Sequence, residues 1–312
     1  MPRSRKRLRP KLRSTTSQSE SLELDRMFDW VEHDRSGAPK ILYHYTTWGG
    51  VEGILSSQRF WATAHDCTND ESELISADSI IIEVARDLRK DAVGTAAKVL
   101  DAFLARYTSL HITQSITVCL ACFSIARDDE EQWRKYGDNG RGVCLGVRVL
   151  DETPPDPPGA LAEVVYSESS CRDAVARGFK PICSRLSEMT DSPPNRTLGL
   201  SALNRIAAFA SMTAKRPKWA HEKEFRHLTL IPHDAGIQLK ERESAGKTIR
   251  YWPISVRTTG KRIALSEITV GPNRSAEDAR NQLRTLLAAN GYAVGSSEYP
   301  EITFSSITPW NI

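Results

Sequence analysis

The sequence lacks several features that mark particular classes of protein. Its 312 residues include only six cysteines, which is too few for a disulfide scaffold of this length. No apolar run approaches the roughly 18 residues that a membrane-spanning helix needs. No apolar segment near the N-terminus resembles a secretory signal. These absences argue against a secreted or integral membrane protein and predict a cytoplasmic one.

Common cofactor motifs are also missing. The chain contains neither GxxxxGK[ST] nor GxGxxG, and its seven histidines form no HExxH pattern, which argues against P-loop, Rossmann and zinc-protease chemistry. Cys119 and Cys122 have the spacing of half a zinc site. They lie in a predicted strand, however, where three positions place the two thiols on opposite faces. We therefore predict no metal.

The composition is that of a globular protein with an uneven distribution of charge. Hydrophobic residues make up 40% and charged residues 26%, which excludes disorder of the whole chain. Residues 1–13 carry seven Lys/Arg and no acid, so residues 14–312 carry −4 of the net +3. The basic segment is interpreted as a solvated tail, as an arm that binds DNA or RNA, or as a targeting segment. We predict a disordered tail with a short helix over residues 1–38 and a single domain over 39–312.

Hydrophobic periodicity predicts a mixture of helices and strands. The run from 115 to 125 is almost continuously apolar and β-prone, as expected for a central strand. The helical and extended patterns follow one another without regular βαβ units, which favours an α+β fold. Strands are predicted at 41–45, 143–149, 163–166, 224–231, 249–256, 263–270 and 301–305, and helices at 48–57, 69–90, 92–110, 128–136, 169–188, 198–214 and 276–289.

Three segments combine residues able to carry chemistry. His44 and Thr46 end a predicted strand, where His44 could also be an ordinary half-buried histidine. The segment QWRKYG at 132–137 gathers aromatic, amide and guanidinium groups, with a core corner and an Arg134 ion pair to the DDEE run as the structural alternative. At 222–226, Glu222 and Glu224 precede Arg226, and a surface charge ladder is the alternative there.

Several motifs together resemble a bacterial family, the domain of unknown function 2971. They are ILYHYTTWGGVEGIL, the TND–E segment at 68–71, QWRKYGDNGRG, the EKEFR strand and the closing ITVGP segment. The H-x-T pattern of His44 and Thr46, and the Glu-Phe pair at 224–225, resemble ADP-ribosyltransferases, especially toxins that modify DNA. This resemblance implies a mostly antiparallel split sheet with flanking helices.

The resemblance also implies NAD as substrate and a role for each candidate residue. Glu224 would be the catalytic acid that assists an oxocarbenium-like transition state. His44 would bond a ribose hydroxyl, and Thr46 would help orient the nucleotide. One aromatic among Trp61, Trp133 and Tyr136 would stack on nicotinamide, and Arg134 would bind the pyrophosphate.

The activity implied is transfer of ADP-ribose to a macromolecule, with nucleic acid as one acceptor and a toxin or defence effector as one biological role. Two alternatives stay open. The chain could be a non-catalytic module that binds nucleic acid or another partner on the same fold. It could also be a phosphotransferase acting on a 2′-phosphate, which would require several basic residues in the cleft.

Overall fold

The structure is a computed structural model. The predicted tail and short helix over residues 1–38 lie outside the residues that it describes. Those residues are 40–68, 74–108, 113–114, 116–148, 160–233, 236–244, 246–255 and 262–311.

Ten strands and seven α-helices are formed within the described ranges. The strands are β1 Ile41–Thr46, β2 Phe60–Ala64, β3 Ile116–Ser124, β4 Val143–Arg148, β5 Ala160–Glu163, β6 Glu224–Pro232, β7 Lys240–Ser244, β8 Lys247–Ile254, β9 Leu265–Val270 and β10 Glu301–Phe304. The helices are α1 Trp48–Ser57, α2 Asp78–Asp91, α3 Gly94–Arg106, α4 Glu130–Lys135, α5 Glu168–Glu188, α6 Pro193–Thr213 and α7 Ala276–Ala289.

The strands form one mixed sheet in the order β10-β9-β4-β1-β3-β2-β8-β7, and β6 pairs with both β3 and β5. The β9–β10 pair is parallel, and the other strand pairs are antiparallel. The predicted α+β class, with a mostly antiparallel sheet flanked by helices, is therefore confirmed.

The sheet forks at β3, because two separate strands pair with different parts of one of its edges. One edge of β3 pairs with β6 over its whole length. On the other edge, β1 reaches β3 at Ser124, and β2 reaches it at Cys119 and Leu120. Residues 121–123 lie between these two contacts, so the two halves of the sheet separate there.

Helices cover the sheet because each face carries alternating apolar side chains. One face packs against α1 and α7, through residues such as Ile54 and Leu283. The opposite face packs against α6 through Met212. Helices α2, α3, α5 and α6 also bury a core among themselves. The fork therefore lies between two well-packed layers.

Most of the predicted elements are present, with differences that have local causes. The helix expected from 198 begins at Pro193, because proline suits the first helical turn and the Ser192 hydroxyl caps it. The strand expected at 163–166 is formed instead at Ala160–Glu163. The helix expected from 69 begins at Asp78, and residues 69–73 lie outside the description.

Candidate functional site

His44 lies in β1 at the fork, where its side chain contacts β2 and β3. Its imidazole packs edge-on against Phe60, with the ring centroids 5.2 Å apart, and lies 5.6 Å from the ring of Phe123. Nδ1 is 2.9 Å from the carbonyl oxygen of Cys122. Since a carbonyl only accepts, Nδ1 carries the hydrogen, which leaves Nε2 as an acceptor in the neutral ring. Burial lowers the pKa of His44, so the ring is neutral at pH 7.

Thr46 and Thr47 shape the turn from β1 into α1. Thr47 is the N-cap of α1, and its hydroxyl accepts a hydrogen bond from the Gly50 amide at 3.1 Å. The Thr46 hydroxyl lies against Gly50, where an added Cβ would come within 2.0 Å of its oxygen. Thr46 therefore contributes to packing of the turn, and its role toward a nucleotide stays a prediction.

Glu224 begins β6 and is only 3% exposed. Arg226 donates to its carboxylate from Nε at 2.8 Å and from Nη2 at 3.2 Å. Lys215 donates from Nζ at 3.0 Å. Burial alone would raise the pKa of Glu224, but the two cations outweigh it and lower this pKa to about 2. Glu224 is therefore a buried, fully ionised carboxylate.

Glu222 lies beside Glu224 and is equally buried. Lys135 donates to its Oε1 at 2.7 Å and the Tyr136 hydroxyl donates to the same oxygen at 2.9 Å. Lys215 binds both acids, because its Nζ also donates to Oε2 of Glu222. We call Glu222, Glu224, Arg226, Lys215 and Lys135 the ion cluster; it holds two carboxylates and three cations.

Cys122 connects His44 with the ion cluster. Its carbonyl accepts the hydrogen bond from His44, and its thiol bonds the carboxylate of Glu224. The side chain is exposed, whereas that of Cys119 is buried, so the predicted opposite orientation of these two cysteines is confirmed. Solvent thus reaches the neighbourhood of Glu224 at Cys122.

The segment QWRKYG supports the ion cluster from α4. The Gln132 side chain donates to the carbonyl oxygen of Glu222 at 3.2 Å. Trp133 is completely buried, packs on Tyr45 at 4.8 Å and donates from its indole to Asp128 at 2.7 Å. The prediction that included Trp133 among the aromatics able to stack on nicotinamide is therefore wrong, because neither face of its ring is open to a ligand.

Arg134 points away from the ion cluster toward the C-terminal segment. It pairs with Glu130 one turn earlier, at 2.6 Å, and lies 4.2 Å over the ring of Trp310. These contacts correspond to the structural alternative, an ion pair with the DDEE run. Binding of a pyrophosphate by Arg134 stays a prediction.

The remaining two aromatic candidates are placed differently. Tyr136 joins the ion cluster through Glu222, and burial with this acid raises the pKa of its phenol. Trp61 lies on β2 with Tyr251 at 5.5 Å and Arg242 at 5.1 Å. The structure therefore brings Tyr136 together with Glu224, while the ring contacts of Trp61 are to β7 and β8.

Three residues of the site are absent from the sequence-based prediction. Lys215 follows the end of α6, Lys135 is the last residue of α4, and Cys122 was considered only as half of a zinc site. The only sequence signal for the two lysines is indirect: two carboxylates buried side by side require nearby cations. Which lysines meet that requirement depends on long-range packing.

Comparison with known protein families finds a match in the middle of the chain. Residues 132–227 match the family described as a protein of unknown function (DUF2971). The match runs from Gln132 in α4 to His227 in β6, and so includes the ion cluster. It supports the resemblance to that family. No curated protein and no solved structure matches the chain.

Two further findings limit the kinds of site in the described part of the chain. No three His, Cys, Asp or Glu side chains there are grouped as metal ligands would be. No helix there is long and apolar enough to cross a membrane.

Proposed function

We propose that the chain cleaves the nicotinamide–ribose bond of NAD and transfers ADP-ribose to a macromolecule. The observation that carries the proposal is the convergence on Cys122 of a neutral imidazole and a buried, ionised carboxylate. His44 bonds its carbonyl and Glu224 bonds its thiol. We include in this proposal nucleic acid as one acceptor of the ADP-ribose. We also include a biological role as a toxin or defence effector.

Glu224 has the properties required of the acid. Cleavage of this bond develops positive charge on the ribose, and a carboxylate in a poorly hydrated site stabilises a nearby cation more strongly than one in water. The low pKa keeps Glu224 charged throughout the physiological range. Its bond to the exposed Cys122 places it next to solvent-accessible surface.

His44 is suited to position a sugar hydroxyl. The hydrogen bond from Nδ1 to Cys122 fixes the tautomer, so Nε2 can accept a hydrogen bond from a hydroxyl group. Phe60 and Phe123 hold the ring in one orientation. NAD is the ligand that we propose for these groups: a ribose hydroxyl would donate to Nε2 of His44, and Lys135 adds a partly exposed cation for the phosphates.

A second function is favoured by a different observation. Glu224 is already bonded by Arg226, Lys215 and Cys122. A carboxylate so fully paired is also what a purely structural core needs. The alternative is therefore a non-catalytic module that binds nucleic acid or another partner, with the ion cluster as its scaffold.

The deciding experiment compares Glu224→Gln with Glu222→Gln. Purified protein is incubated with NAD and cellular macromolecules, and mass spectrometry measures nicotinamide, free ADP-ribose and modified products. We expect Glu224→Gln to abolish turnover and Glu222→Gln to retain most of it.

Glu222 is the matched control because it is equally buried and, like Glu224, is bonded to two cations, in its case Lys135 and Lys215. Each substitution removes one charge from the ion cluster and should lower the free energy of unfolding by about 3–5 kcal/mol. Stability therefore cannot explain a difference in turnover between them. Equal turnover by both variants contradicts the assignment of Glu224, and absence of turnover in the native protein favours the binding module.

A further inference from the structure

An open cavity of about 790 Å³ lies at the β10 end of the sheet. Its walls are α7, the edge formed by β9 and β10, and the segment 294–300. The volume is in the range of small-molecule sites. Three strands, β9, β4 and β1, separate β10 from β3 in the sheet order. The cavity is therefore distinct from the ion cluster.

Two arginines from successive turns of α7 line this cavity. Arg280 and Arg284 are four residues apart, so their side chains emerge on the same side of the helix. The guanidinium of Arg280 lies 5.0 Å over the ring of Phe304, which fixes its position beside the edge strand. Within the described ranges, neither arginine is ion-paired with an acid.

The one acid in the lining, Glu301, is directed away from these arginines. Strand alternation places Glu301 on the same face of β10 as Thr303, whose hydroxyl bonds Thr269 at 2.9 Å. Ile302 and Phe304 occupy the opposite face, where they pack with α7 against the core. The positive charge in the cavity is therefore not neutralised by Glu301.

The other wall offers a polar group without a partner and an apolar surface. The hydroxyl oxygen of Tyr299 is buried and has no hydrogen-bond partner among the described residues. A buried hydroxyl without a partner costs about 1–3 kcal/mol, and a ligand oxygen would remove this cost. Val294, which is 78% exposed, and Ile302 provide apolar lining beside it.

We propose that this cavity binds a small organic phosphate. Arg280 and Arg284 hold the phosphate group, since planar guanidinium groups bind pairs of phosphate oxygens. The Tyr299 hydroxyl donates to the same group or to the ester oxygen. The organic part lies against Val294 and Ile302. This site is independent of the proposed reaction at Glu224.

Calorimetric titration at low ionic strength tests the site, with ribose 5-phosphate and inorganic phosphate as probes. We expect ribose 5-phosphate to bind more tightly than inorganic phosphate. Arg280→Ala and Arg284→Ala should each weaken its binding about tenfold or more, and Tyr299→Phe should weaken it several-fold. Arg177→Ala, which removes an exposed charge from α5, should change the affinity less than twofold.

Three results would overturn the proposal. They are no binding of either phosphate at millimolar concentration, equal affinity of the Arg284→Ala and Arg177→Ala variants, and tighter binding of succinate than of ribose 5-phosphate. Circular dichroism of each variant verifies that it is folded. Glu224→Gln should bind ribose 5-phosphate like the native chain, so failure here and failure of the proposed reaction can be distinguished.

Discussion

Trp133 and Arg134 are adjacent in the chain, but the first side chain is buried and the second is on the surface. The indole of Trp133 is completely buried and bonded to Asp128, while the guanidinium of Arg134 is half-exposed and paired with Glu130. Trp133→Ala should therefore lower the free energy of unfolding by about 3–5 kcal/mol. Arg134→Ala should lower it by less than about 1 kcal/mol.

Urea denaturation of both variants measures this difference, and NAD binding is titrated in parallel. A binding defect in Arg134→Ala at unchanged stability would support the predicted contact with pyrophosphate. A loss of several kcal/mol on removing Arg134 would contradict its assignment as a surface ion pair.

His227 links folding to pH. It lies on β6, is 2% exposed, and burial lowers its pKa from 6.5 to about 4. Below pH 6.5 the unfolded chain binds a proton that the folded chain does not, so stability falls as the pH falls from 6.5 toward 4. Between pH 7 and pH 5, His227 should account for about 2 kcal/mol of this loss.

Unfolding free energies at pH 7 and pH 5 are compared for the native chain, His227→Gln and His233→Gln. His233 is exposed at the end of β6 and serves as the control. We expect a smaller pH dependence only in His227→Gln. Glu224 does not interfere, because its pKa of about 2 places its own loss of stability below pH 4.5.

At the scale of elements, the close approach of the end of β1 to the start of β4 requires a glycine. An added Cβ at Gly142 would come within 2.2 Å of the Thr46 carbonyl oxygen and 2.9 Å of the Gly137 backbone. Backbone atoms cannot move aside as a side chain can, so Gly142→Ala should destabilise the protein by about 1–3 kcal/mol.

Gly49 provides the comparison, because a Cβ there meets no atom within 4 Å. Gly49→Ala in the first turn of α1 should stabilise the protein by about 0.4–1 kcal/mol. Thermal denaturation of both variants measures the two effects. A neutral result for Gly142→Ala would mean that the turn around Thr46 is not as tightly packed as described.

Helices and strands with a strong apolar pattern could be predicted from the sequence. Strands that form only because a neighbouring strand hydrogen-bonds to them could not. The helices at 48–57 and 276–289 were predicted at their observed positions, because apolar periodicity is a local signal. β7, with the sequence KERES, contains no apolar residue and is a strand because β8 pairs with it.

The candidate site could likewise be predicted only where its residues are close together in the sequence. The sequence identified Glu224 and grouped it with Arg226, because the two residues are two positions apart on one predicted strand. It did not identify Lys215, which lies nine residues before Glu224 and reaches it only because α6 packs across the sheet. Contacts of this kind follow from tertiary packing and leave no regular spacing.

For the whole molecule, the basic residues 1–13 contrast with the net negative charge of the rest of the chain. If this segment binds nucleic acid, deleting it should weaken binding at low salt and flatten the dependence of affinity on salt concentration, because fewer counterions are released. A variant of full length with the seven Lys/Arg replaced by Gln separates charge from length. Equal binding by the native and deleted chains would show that the segment is only a solvated tail.

The fork at β3 also restricts how this protein can diverge during evolution. A single inserted residue turns every following side chain of a strand to the other face. In β3 that change would misalign β6 along one edge and both β1 and β2 along the other, because all three pair with it. It would also move Cys122 out of contact with His44 and Glu224. Descendants of this chain can therefore exchange residues within β3, but the length of that strand should be inherited unchanged.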